Sequence, residues 1–224
     1  MKKIFIISAL SVFILSSNII KAQENTDTKD PKAKAILDKL SSKNKSYTSI
    51  EAEFDYKLEN KADGIDETQS GKILFSGNKY RLNIAGQEIV SDGITLWTFI
   101  ADADEVQISD VPEESESDDS FLNPSSIFTL YEKGFKYTFD KVETINGKSV
   151  DVIRLYPENP EEKSFHTIIL KVIQENTQIQ SMTIKTKDGN NFTYALKTFK
   201  PNVATNASSF KFDESTAGDV IDLR

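Results

Sequence analysis

The chain has no cysteine, one histidine and one tryptophan in 224 residues. The lack of cysteine excludes a disulfide scaffold, thiol catalysis and a lipid-modified cysteine behind a leader. With His166 alone, paired-histidine metal sites are excluded and a catalytic triad has a single candidate base. G-x-S-x-G, P-loop and dinucleotide-binding patterns are missing too. Positive charge is scarce, with a formal net charge of −8. Removing Lys2, Lys3 and Lys21 with a leader would leave about −11. Nucleic-acid binding needs a basic footprint, and none is present. Anionic lipid surfaces are disfavoured for the same reason, so partners should be neutral, apolar or basic.

Only one apolar run is long, and it opens the chain. Met1-Lys2-Lys3 is followed by an apolar stretch over residues 4–15, interrupted only by Ser8, Ala9 and Ser11. Polar residues follow, and then Lys21-Ala22. A membrane-spanning helix needs about 20 apolar residues, and this run is shorter. Residues 1–22 therefore read as a cleaved signal peptide. Residues 23–30 form a flexible lead-in, and 31–224 a single domain.

What remains is mostly strand. Asp30 followed by Pro31 predicts a helix start, and Ala33, Ile36, Leu37 and Leu40 give that helix a narrow apolar face. From Ser49 the period changes to two: Ile50, Ala52, Phe54, Tyr56 and Leu58 alternate with charged residues. "KADGIDETQS" reads as a loop. Hairpin turns are expected at Ser76-Gly77-Asn78-Lys79, Ser91-Asp92-Gly93 and Asn146-Gly147. An acidic solvated loop covers 110–120. A short helix at 123–133 follows, with Asn123 as N-cap, Gly134 as stop and Ile127, Phe128, Leu130 and Tyr131 on its apolar side. Further strands run from "KYTFDKVETI" to "SFKFD". Short strands at regular spacing argue for an antiparallel barrel or sandwich.

Candidates for chemistry are few. His166 lies in an apolar run, where alternation gives it the face of Ile168, Leu170 and Val172, and it reads as structural. Glu51 and Glu53 could be proposed as a glycosidase pair, but they occupy the polar side of an alternating strand. The cluster Glu113, Glu114, Glu116, Asp118 and Asp119 lacks the spaced Asx-Gly loop of tight calcium sites. Apolar strand residues are abundant instead. They would either fill a core or line a cavity closed by two amphipathic helices.

The stretch "VSDGITLWTFIADADEVQISD" resembles the signature V-S-D-G-K-T-L-W-x-Y-x-P-x-x-x-Q-V of the periplasmic outer-membrane lipoprotein carriers, the LolA-like family. Val90, Ser91, Asp92, Gly93, Thr95, Leu96 and Trp97 match, Phe99 stands where the aromatic recurs, and Gln107 answers the later glutamine. "SYTSIEAEFDY" and "GKILFSGNKYRLNI" occupy the places of the family's first strands. The resemblance implies a mainly β fold with two or three short helices: an unclosed antiparallel β-barrel of about eleven strands with a helical lid. It implies a non-enzymatic periplasmic carrier in a Gram-negative bacterium, without cofactor or metal. Such a carrier would be a monomer that takes the acyl chains of lipoproteins from an inner-membrane release complex to an outer-membrane acceptor.

On that reading the acyl cavity is lined by Phe54, Tyr56, Tyr80, Leu82, Ile84, Leu96, Trp97, Phe99, Ile168 and Leu170. The lid carries Ile36, Leu37, Leu40, Ile127, Phe128, Leu130 and Tyr131. Leu96 and Trp97 point oppositely, so alternation leaves open which of them faces inward. An alternative is a sensing module on the same fold that detects lipids or lipoproteins without ferrying them. The chain departs from the family pattern at Ser76-Gly77-Asn78, where a lid-tethering arginine with a proline is expected. It departs again at Ala101-Asp102, where a proline is expected.

Overall fold

The computed structural model describes residues 29–111, 128 and 130–224. The signal peptide, most of the acidic loop, Ile127 and the start of the expected lid helix lie outside these residues.

The first element is helix α1 (Pro31–Lys45). Asp30 caps it by accepting from the backbone N–H of Lys32 at 2.8 Å and of Ala33 at 3.3 Å, which satisfies donors the first turn leaves free. Pro31 costs nothing at a position with no intrahelical N–H bond. Ala33, Leu37 and Leu40 form the buried stripe.

Twelve strands follow in one open sheet. They are β1 (Ile50–Asn60), β2 (Ile65–Ser76), β3 (Lys79–Ile84), β4 (Gln87–Ser91), β5 (Thr95–Ile100), β6 (Glu105–Asp110), β7 (Phe135–Ile145), β8 (Lys148–Pro157), β9 (Phe165–Ile173), β10 (Gln178–Thr186), β11 (Asn191–Pro201) and β12 (Asp219–Asp222). The order is β12-β6-β5-β4-β3-β2-β1-β11-β10-β9-β8-β7. Strand β1 sits centrally because it pairs with β2 next to it in sequence and with β11 far from it. Neighbouring strands are antiparallel except β12, which joins β6 in parallel. A parallel partner cannot be reached by a tight hairpin, and residues 202–218 bring the chain from β11 to β12 beside β6.

The expected fold is present with four adjustments. There are twelve strands with one parallel pair, where about eleven antiparallel ones were expected. "KADGIDETQS" is mostly strand: its outer part is exposed, yet Asp66, Glu67, Thr68, Gln69 and Ser70 pair with β1. "SFKFD" is not a strand. Residues Ala207–Phe210 form a 3-10 turn capped by Asn206, whose side chain accepts from the Ser209 N–H. Among the described residues, α1 is the one α-helix, and the described part of the second expected helix is a 3-10 turn at Leu130–Glu132.

Bulges explain where simple alternation fails. Extra residues fall at Asp140 on β7, His166 on β9, Gln180 on β10 and Lys197 on β11. Each bends its strand and shifts the side-chain phase by one. Phe165 and Ile168 are therefore both buried, although three apart, while His166 between them is exposed. Simple alternation puts His166 on the buried face; the bulge turns it out.

Candidate functional site

The sheet has one large apolar face, and α1 lies on it. Matched positions across neighbouring strands carry Ala52, Ile73 and Leu82 on one side of β1, and Tyr194, Met182 and Leu170 on the other. Of the expected cavity wall, Phe54, Leu82, Ile168 and Leu170 are buried in this cluster, with Tyr56, Tyr80 and Ile84 packed half-buried at its margin. Leu96 is half-buried, opposite Ser91, which itself pairs with Tyr80, so it faces the same way. Alternation misses Phe199 because the bulge at Lys197 shifts its phase; it too packs against this cluster.

Trp97 and Phe99 do not belong to this wall. They alternate with Leu96 and therefore occupy the outer face, where Val90, Val106, Ile108 and Phe212 complete a second cluster. The Trp97 indole N–H donates to Glu214 at 3.0 Å, and Phe99 stacks on Phe212 with ring centroids 5.4 Å apart. The C-terminal segment covers this cluster. Arg81 holds that segment by donating to the carbonyls of Ser209 (2.9 Å) and Lys211 (2.7 Å), while also pairing with Glu88. The apolar side of the sheet thus changes over between β3 and β5.

The cover of the large face is small. Leu37 and Leu40 are buried beneath α1, with Ile36 half-buried at its edge. Phe128 is 1% exposed, stacking on Phe75 at 5.1 Å and tilting onto Phe199 at 6.2 Å. Tyr131 is buried beside it, and burial pushes its phenol well above the usual range.

Polar contacts join α1 to Phe128, Tyr131 and Glu132. Asn44 donates to the Tyr131 hydroxyl at 3.0 Å and to the Phe128 carbonyl at 3.4 Å. Glu132 accepts from Ser41 at 2.6 Å and pairs with Lys45 at 2.8 Å. Burial pushes the Glu132 carboxyl up, but its bonds to Lys45 and Ser41 outweigh that and hold it below its ordinary value. A hollow of about 280 Å³ lies along this seam, lined in part by Leu37, Ser41, Tyr131 and Glu132.

The other end of α1 is tied to β7. The Asp30 N–H donates to Tyr137 O at 3.1 Å, the Phe139 N–H donates to Asp30 at 3.0 Å, and the Lys32 ammonium sits 3.5 Å above the Phe139 ring. None of the latch residues Ser41, Asn44, Lys45 and Glu132 was a sequence candidate. They are ordinary polar residues whose partners lie about ninety positions away.

Acid–base chemistry has little to work with here. Glu51 accepts from Lys72 at 2.9 Å and from Lys200 at 3.1 Å, and these bonds keep its carboxyl below the ordinary range, unsuited to a general acid. His166 has its Nδ1 2.8 Å from the Thr167 hydroxyl, on an exposed bulge. Among the described residues no three His, Cys, Asp or Glu side chains gather in a metal-binding group. No helix among them is long and apolar enough to cross a membrane.

The sheet is open and bent, with its large apolar face covered by one helix and a short segment. The chain belongs to the family described as outer membrane lipoprotein carrier protein LolA, which matches residues 45–213. Among solved structures it is similar to an uncharacterized conserved protein from Thermus thermophilus. That match has 11% identity and a TM-score of 0.54 over 85% of this chain and 99% of that one. It is also similar to the lipoprotein LppX of Mycobacterium tuberculosis, at 14% identity and TM-score 0.47 over 79% and 98% of the two chains. A third is the LolA superfamily protein NE2245 of Nitrosomonas europaea, at 13% identity and TM-score 0.42 over 80% and 97%. At 11% identity the first of these likenesses bears on fold alone. No curated protein sequence matches the chain.

Proposed function

We propose that this protein is a periplasmic lipoprotein carrier, exported by a cleaved signal peptide, which shelters acyl chains against the helix-facing side of its sheet. In its closed form, Phe128 and Tyr131 stand in the place the cargo would take. One observation carries the reading: an apolar face spanning most of the sheet is closed by a small cover fastened through polar contacts. Family membership supports it.

Magnitudes favour opening by cargo. A chain of about 15 methylenes gains on the order of 12 kcal/mol on full burial, at about 0.8 kcal/mol per methylene. Each latch hydrogen bond contributes about 1 kcal/mol, and the largely exposed Lys45–Glu132 pair less than that. Releasing Phe128 costs roughly 2–3 kcal/mol more. One acyl chain therefore offsets the cover with a margin, and re-closing of the cover lowers the cost of release to an acceptor.

The proposed wall is Phe54, Tyr56, Tyr80, Leu82, Ile84, Leu96, Ile168 and Leu170, without Trp97 and Phe99. The donor would be an inner-membrane release complex and the acceptor an outer-membrane protein. The test is titration of the mature protein with a fluorescent fatty acid, followed by crosslinking to a triacylated lipoprotein. Saturable binding that an unlabelled acyl chain displaces is expected. A protein that takes up neither ligand would end the carrier reading.

A further inference from the structure

We infer that the free side of β12 is a docking edge that takes a β-strand from a partner protein, one whose apolar residues alternate and are flanked by lysine or arginine. This goes beyond cargo binding and does not depend on it. Among the described residues strand β12 ends the sheet order, and it lies outside residues 45–213 of the family match. The Asp219 N–H donates to Asp104 O at 3.0 Å and the Leu223 N–H to Ile108 O at 2.8 Å. In a parallel pair alternate residues face the partner, so the N–H and C=O groups of Val220 and Asp222 point away from the sheet.

Proteins normally blunt such an edge, and the opposite end of this sheet shows how. On β7, Asp30 bonds to the backbone of Tyr137 and Phe139, and a bulge follows at Asp140. Strand β12 has no bulge in its pairing with β6. It also exposes apolar side chains on both faces: Val220 is 48% exposed, Ile221 38%, and Leu223 just beyond it 62%. An added strand would extend both faces at once, burying its own alternate residues against Val220 on one side and Ile221 on the other.

Charge selects the partner. Asp219 and Asp222 lie beside Asp104, Glu105 and Asp110, against Arg224, which is already paired with Asp222 at 2.7 Å. A second copy would bring like charges together, whereas a strand with flanking cations would be attracted.

The probe is a capped peptide of about eight alternating valines and lysines, added to the isotope-labelled mature chain. Amide exchange at Val220 and Asp222 should slow about tenfold while Ile221, already bonded to β6, stays unchanged. Val220→Pro removes an outward N–H without touching the β6 ladder, and should weaken the peptide at least about tenfold at unaltered melting temperature. Asp222→Lys, which leaves every backbone donor in place, should weaken this peptide about tenfold at low salt and much less at high salt. Three results would overturn the inference. One is equal binding of a peptide N-methylated at alternate backbone nitrogens, which would leave charge alone as the cause. Another is protection elsewhere on the sheet. The last is a free protein that is already dimeric and becomes monomeric on Val220→Pro, which would give the edge to a second copy.

Discussion

Phe128→Ala separates a cover from a core. The Phe128 ring is 1% exposed and contacts Phe75 and Phe199. Truncating a buried phenylalanine costs about 3–5 kcal/mol. If residues 128–132 close reversibly over the sheet, that loss falls on the closing equilibrium and not on the fold. About 3 kcal/mol shifts the closed-to-open ratio by roughly two orders of magnitude. Apparent affinity for an acyl chain is the intrinsic affinity scaled by the fraction open, so a fluorescent fatty acid should bind about 10–100-fold tighter. The far-ultraviolet spectrum should be retained, because the paired strands do not need Phe128 for register. The assay is fluorescence titration beside chemical denaturation of the same preparation. Unchanged affinity, with global stability lowered by the full 3–5 kcal/mol, would make Phe128 ordinary core and refute the reasoning.

Glu132 makes the cover sensitive to acid. Its carboxyl is held below the ordinary value of 4.5, so its latch is fully formed above that pH and is lost as pH falls through the lower, folded value. Fatty-acid affinity should rise as pH falls below the ordinary carboxylate value of 4.5 in the parent protein, and Glu132→Gln should flatten that profile. Trp97→Ala opens a cavity under the C-terminal segment and should cost about 3–5 kcal/mol in denaturant melts while leaving fatty-acid binding unchanged. If binding fell in parallel, the two faces would not be separate. Gly71→Ala places a Cβ 2.5 Å from the Phe54 ring, and overpacking of this kind costs about 1–3 kcal/mol. A melting temperature no lower than the parent's would mean that Phe54 can move aside freely.

How far the sequence could be read depended on what each element is made of. Asp30-Pro31, the Ile50-to-Leu58 alternation and Asn146-Gly147 are local signals with local causes. Asn146 and Gly147 both adopt positive φ, 50° and 76°, which that dipeptide suits better than most. The bulges at Asp140, His166, Gln180 and Lys197 were not legible, since one extra residue is decided by the neighbouring strand. Phe199 and His166 were lost to the reading for that reason. The first half of strand β2 was hidden because "DETQS" is polar on both faces, and only its pairing with β1 makes it strand. The latch was hidden because Ser41 and Glu132 acquire meaning only through a contact across ninety residues.

The one tryptophan shows why a motif and a site can part company. "TLW" places Leu96 and Trp97 back to back, and the C-terminal segment covers the Trp97 face of β5. On the helix-facing side the sheet near β5 turns polar, with Thr98 paired to Gln107 and Leu96 to Ser109, so the large apolar face fades out there. On the outer side Trp97, Phe99 and Phe212 pack tightly and are tied by Arg81 and Glu214. The motif residues therefore fix the C-terminal segment and, through it, the approach of β12 to β6. The proposed acyl wall, by contrast, asks of most of its residues only that they be apolar and face α1. A face of that kind tolerates exchange among hydrophobic residues of similar volume, whereas the Trp97 bond to Glu214 does not survive even Trp97→Phe.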